Sequence, residues 1–119
     1  MNIRRIVPDI TTDRFDESKK FYTEYFGFRL AMDLGWVITF VSSSNITAQI
    51  TFVKGQPVPM QDIPITLTIE VEDVDAMHAR AIEQGIKIIY PLRNEPWGVR
   101  RFHVLDPNGI TINVMMHIP

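Results

Sequence analysis

Between Ile65 and Val71 apolar and polar residues alternate without a break. Ile65, Leu67, Ile69 and Val71 fall on one side, Thr66, Thr68 and Glu70 on the other. A period of two with one apolar face predicts a strand half buried against a core. The period then changes. The run "DVDAMHARAIEQG" opens on acids, continues with apolar residues at helical spacing and closes on Gly85, which predicts a helix whose C-terminal cap is a glycine in the left-handed region. Three short apolar-polar runs follow, over residues 86–92, 99–105 and 110–115. "DPNG" (Asp106 to Gly109) is a tight turn between the last two.

The first half of the chain has the same grammar. "DESKKFYTEYFGFRL" is an acidic start, an amphipathic run, a glycine and an apolar strand start, with Asp13 placed as the helix N-cap. Its glycine, Gly27, lies 58 residues before Gly85 (85 − 27). A less regular strand, "IRRIVPDITT", precedes this helix, and Pro8 argues for an edge position or a bulge there. Strands over about 28–33, 36–42 and 46–53 come after it, with "SSSN" (Ser42 to Asn45) as a hairpin turn. Residues 54–64 hold three of the eight prolines and read as a linker. The prediction is α+β, with βαβββ written twice in one domain over 1–119, unit one about 1–56 and unit two about 63–119.

Composition narrows the function classes. A net charge of −2 on 119 residues gives no electrostatic reason to expect nucleic acid or an anionic membrane as partner. With no cysteine there is no disulfide, thiolate nucleophile or thiolate metal site. The N-terminal stretch lacks an apolar run of signal-peptide or membrane-span length, so a cytoplasmic protein is expected, and Asn45-Ile46-Thr47 is read as a chance sequon.

Two such units, with "FYTEYFGF", "VEDVDAMHARAIEQG" and "EPWGVRRFHVLDPNG", resemble the vicinal oxygen chelate superfamily of glyoxalases, extradiol dioxygenases, fosfomycin-resistance enzymes and bleomycin-binding proteins. The resemblance implies a curved, cup-like mixed sheet with helices on its outer face, completed across a homodimer. It also implies four positions at which metal-using members carry histidine or glutamate. Here these are Val7, Gln49, Thr66 and Asn113. A hard or borderline divalent cation needs carboxylates or imidazoles, and usually three of them. An alkyl group, a hydroxyl and two amides do not supply that set, so neither a metal nor any other cofactor is expected.

Alternation carries other residues toward the cup: Trp36, Ile38 and Phe40 from the first unit, and Thr66, Thr68, Glu70, Arg101, His103 and Asn113 from the second. Trp97 stands in the overhanging turn. An aromatic, largely apolar pocket with a few convergent polar groups suits a small-molecule ligand. Arg101 faces the cup as a possible clamp for a carboxylate or phosphate, or is simply salt-bridged, while Arg100 faces the helix and its acids, such as Glu83. Glu70 beside His103 would raise the imidazole pKa and orient the ring as a general base; a histidine hydrogen-bonded into the strand is the plainer alternative. Three functions stay open. The first is a binding protein that sequesters an apolar or aromatic molecule. The second is a cofactor-free lyase or isomerase using His103 and Glu70. The third is a metal-dependent glyoxalase- or dioxygenase-like enzyme.

Overall fold

The computed structural model describes residues 2–56 and 65–119, and it divides the chain into two units, Met1–Pro59 and Met60–Pro119. Unit one runs β1 (Asp9–Thr12), α1 (Phe15–Lys20) with a π-helical turn over Phe21–Tyr25, β2 (Arg29–Asp33), β3 (Val37–Val41) and β4 (Gln49–Lys54). Unit two runs β5 (Thr66–Glu70), α2 (Val74–Glu83), β6 (Ile88–Glu95), β7 (Val99–Leu105) and β8 (Thr111–His117). Each unit forms its own four-stranded mixed sheet, ordered β1-β4-β3-β2 and β5-β8-β7-β6. In both, the strand before the helix pairs in parallel with the last strand and the other pairings are antiparallel. The βαβββ grammar is therefore realised twice. Pro8 sits immediately before the edge strand β1, where its missing N–H costs no ladder bond.

The helix of unit one is held to its sheet by aromatic rings. Tyr22 and Tyr25 are fully buried, and the Tyr22 ring lies 5.5 Å from Phe40 and 5.2 Å from Phe52. Burying each such side chain contributes roughly 1.5–3 kcal/mol. Ile38, Phe40, Ile50 and Phe52 therefore form the helix-facing side of β3 and β4. Thr39 and Thr51, hydrogen-bonded at 2.8 Å, lie on the other. This corrects the sequence reading of β3. Ile38 and Phe40 were expected on the open face, but the aromatic residues on α1 and its π-helical turn leave a hydrophobic surface that the largest residues of β3 must cover.

Three other expectations change. The N-cap of α1 is Arg14 rather than Asp13 and has no side-chain cap, although Thr12 Oγ1 accepts from the Arg14 N–H at 2.9 Å. The connection after β3 runs from Ser42 to Ala48, closed by Ser42 N donating to Ala48 O at 2.9 Å, so β4 begins at Gln49 and not at Ile46. β4 also reaches Lys54, which was assigned to the linker; residues 57–64 of that linker lie outside the described residues.

In unit two Asp73 caps α2, accepting from Ala76 N at 3.0 Å. Gly85, at φ 68°, ends it, with Ile86 N donating to Ala81 O at 2.8 Å as a glycine C-cap requires. Phe102 and Val104 are buried on the α2 side, where His78 meets Phe102 edge to face at 5.1 Å. His78 is thus half-buried. The Asp106–Gly109 turn forms as expected, Asp106 Oδ1 accepting from the backbone of Asn108 and Ile110 at 2.8 Å each.

Candidate functional site

The α2 side of the second sheet is apolar, and the opposite face carries the polar residues in rows that cross all its strands. One row is Thr68, Asn113, His103 and Tyr90, each in register with the next across β5, β8, β7 and β6. The neighbouring row is Glu70, Met115, Arg101 and Arg93. Thr66 pairs with Thr111 at the far end. Cross-strand neighbours on one face stand close enough for their side chains to interact, so the register by itself assembles this cluster.

Its hub is Arg101. The guanidinium carbon lies 5.0 Å from the Tyr90 ring centroid and 5.1 Å from that of Trp97, between two π-faces. Glu95 stands beside it with its side chain 4% exposed, accepting from Tyr90 Oη at 2.8 Å and ion-paired with Arg93 Nε at 2.9 Å, with Arg101 Nη2 at 3.8 Å. Trp97 is held outward by a turn in which Gly98 N donates to Glu95 O at 3.1 Å. Pro96 presets the second position of that turn, and Gly98 takes φ 90°. Trp97 remains 63% exposed.

The His103 ring lies 4.8 Å from that of Tyr90, tilted by 30°, and faces Asn113 across the strand pair. Burial, then the Arg101 charge, holds its pKa below the usual 6.5, against the upward pull of the Asn113 amide and the Glu95 carboxylate. The imidazole is therefore neutral at pH 7. Asn113 Nδ2 donates to Thr68 Oγ1 at 3.2 Å. Three buried polar atoms in the cluster have no hydrogen-bond partner: His103 Nε2, Asn113 Oδ1 and Arg101 Nε. All three are closed to solvent, and the imidazole and the Asn113 amide face each other closely enough to interact.

The expected pairing of Glu70 with His103 does not form. Two strand spacings separate β5 from β7, roughly 10 Å, and Glu70 is instead paired with His117 at 4.0 Å, both well exposed. The carboxylate whose charge reaches the imidazole is that of Glu95, and the imidazole pKa is lowered where a rise was expected. Arg100 does face α2, but it pairs with Asp75 at 2.9 Å and not with Glu83.

Glu95 was missed in the sequence because the strand was ended at residue 92, and Tyr90, although inside that strand, was given no face. The edge strand β6 slips in register on both sides of Tyr90, and Pro91 lies in the second slip, between Tyr90 and Arg93. A proline inside an apolar run was the available signal for that slip.

The remaining candidates divide between the two units. In unit one, Phe40 belongs to the core and Trp36 is 60% exposed at the start of β3. Gln49 accepts from Arg5 Nη1 and donates to Ile46 O at 2.6 Å. For the metal positions implied by the resemblance, unit one offers the amide of Gln49 and the alkyl group of Val7. Unit two offers the hydroxyl of Thr66 and the amide of Asn113, already bonded to Thr68. Among the described residues no three histidine, aspartate or glutamate side chains gather as a metal-binding group. The donor set at these positions does not fit a divalent cation. No helix among the described residues is long and apolar enough to cross a membrane.

A family model described as Glyoxalase/Bleomycin resistance protein/Dioxygenase superfamily matches residues 3–114. Among solved structures, the chain is similar to the bleomycin resistance determinant encoded on transposon Tn5, with 15% identity, TM-score 0.78, and 97% of this chain and 98% of that one covered. It is similar also to TnmS3, an antibiotic binding protein from Streptomyces sp. CB03234 (24% identity, TM-score 0.77, 98% of each chain), and to a superfamily member from Sphaerobacter thermophilus (18% identity, TM-score 0.79, 98% of each chain). Over 53 residues, 44% of this chain, it is 36% identical to uncharacterized proteins of Mycobacterium bovis and Mycobacterium tuberculosis. That match spans about a third of their length, 35% and 31%.

Proposed function

We propose that this chain, which belongs to the Glyoxalase/Bleomycin resistance protein/Dioxygenase superfamily, is a small-molecule binding protein that holds a planar, partly apolar ligand on the open face of its second sheet. The observation that carries this is the clustering of exposed Trp97, the stacked Arg101 and Tyr90, and the polar side chains of His103, Asn113 and Thr68 on one sheet face. Rings supply contact area, and a few fixed polar atoms supply orientation. The antibiotic-binding and bleomycin-resistance neighbours lend support to a binding role. Trp97, Arg101, His103, Asn113 and Thr68 are the principal contacts, with Thr66 and Glu70 as further candidates on the same sheet. Binding proceeds without a metal ion, in a single domain over 1–119 that acts as a homodimer in the cytoplasm.

Two measurements test this. Saturation-transfer NMR with a panel of planar aromatic compounds is expected to find binders whose affinity falls about tenfold in Trp97→Ala, the loss of one stacked ring; binders indifferent to that change would contradict it. Titration with nickel, zinc or ferrous iron is expected to give no stoichiometric tight complex. Such a complex would return the metal-dependent reading to first place.

A further inference from the structure

On the open face of the second sheet Arg93 and Arg101 stand directly opposite each other on β6 and β7. Like charges so placed repel. One carboxylate serves both: Glu95 Oε1 is 2.9 Å from Arg93 Nε, and Glu95 Oε2 is 3.8 Å from Arg101 Nη2. Two guanidiniums with one carboxylate leave one positive charge over. The other acid of this cross-strand row, Glu70, does not balance it, because it lies two strands from Arg101 and is paired with His117 at 4.0 Å. The two arginines differ in reach. The Arg101 side chain is 22% exposed, lies between the rings of Tyr90 and Trp97, and has its Nε closed to solvent. The Arg93 side chain is 56% exposed, and among the described residues its polar partner is Glu95, met through Nε. The hydrogen bonds of its terminal amino groups are left for another partner. A guanidinium fork of this kind matches a carboxylate, which it can hold by two parallel hydrogen bonds.

We propose that Arg93 receives a carboxylate carried by the ligand, while the ligand's planar part lies on the exposed rings that flank Arg101. This rests on the second sheet's open face being the ligand site. It moves the anion contact expected at Arg101 to that residue's cross-strand neighbour. Glu95 and the two rings hold the Arg101 charge within the protein, so the excess charge is met at the exposed member of the pair.

Two probes of one shape test this: 2-naphthoate and 2-naphthamide, titrated at pH 7.5 and low salt against the full chain by NMR. The carboxylate is ionised at that pH. It is expected to bind about threefold tighter than the amide, the size of one exposed charge pair. In Arg93→Gln both probes still bind through the ring, and the preference is expected to fall to near unity. Raising the salt to about 1 M, where charges are screened beyond roughly 3 Å, is expected to do the same in the unaltered chain. The amide binding equally well or tighter overturns the proposal while leaving the binding role intact, as does a preference that survives Arg93→Gln or the added salt. Failure of both probes to perturb Trp97 overturns the proposal together with the binding face.

Discussion

Glu95 is the residue on which the second sheet's polar face depends. Its carboxylate is nearly inaccessible, yet it meets Tyr90, Arg93 and Arg101. Removing it leaves a phenol without its acceptor and a partly buried guanidinium without its counter-charge, whereas the amide isostere keeps the acceptor and loses the charge. Glu95→Ala is therefore expected to cost roughly 1–3 kcal/mol in urea denaturation, and Glu95→Gln clearly less. Equal effects would mean that the charge pairs, and not the Tyr90 hydrogen bond, dominate. His103 gives a second test. Because its folded pKa lies below the unfolded 6.5, the unfolded chain takes up this proton first as pH falls. Stability attributable to this group is thus full above pH 6.5 and declines below it, toward the folded pKa. The His103 Cε1–H resonance is expected to titrate with a midpoint below 6.5, and His103→Gln to flatten the stability slope between pH 7 and 5. A midpoint above 6.5 would mean that the carboxylate's pull outweighs burial.

At the scale of elements, the two helices repeat one pattern with different anchoring. Asp73 caps α2 through its side chain, so Asp73→Ala is expected to cost about 1 kcal/mol by thermal or urea unfolding. Asp13 does not cap α1, and Asp13→Ala is expected to stay within about 0.5 kcal/mol. The facing of β3 gives a larger contrast. Phe40→Ala opens a cavity beneath Tyr22 and is expected to cost about 3–5 kcal/mol, while Trp36→Ala, at an exposed position, is expected to stay within about 0.5 kcal/mol. β5 and β7 could be read correctly from the sequence because only one of their faces is apolar. In β3, "WVITFV", both faces carry apolar residues, so alternation alone leaves the direction undecided. The rings on the helix decide it. The end of β6 was hidden by its proline, and with it Glu95, while the register shifts on both sides of Tyr90 hid that residue's cross-strand partner.

For the whole molecule, the doubled βαβββ grammar and the family were legible because the glycine caps Gly27 and Gly85 recur 58 residues apart, a linker separates the copies and one strand alternates strongly. Pairing partners across strands were less so. The choice of Glu70 as partner of His103 followed from which face each occupied, and faces do not reveal that β8 lies between them; only the order β5-β8-β7-β6 does. On the proposed reading, a planar ligand is received on one face of the second sheet by rings and a few polar side chains. Amide-detected chemical-shift mapping on addition of 2-naphthamide tests it most directly, with assigned backbone, Trp indole and Asn side-chain resonances. The expected result is a saturable set of shifts centred on Thr68, Tyr90, Trp97, Arg101, His103 and the Asn113 side chain. Shifts centred on other residues, or none at millimolar probe, would contradict it.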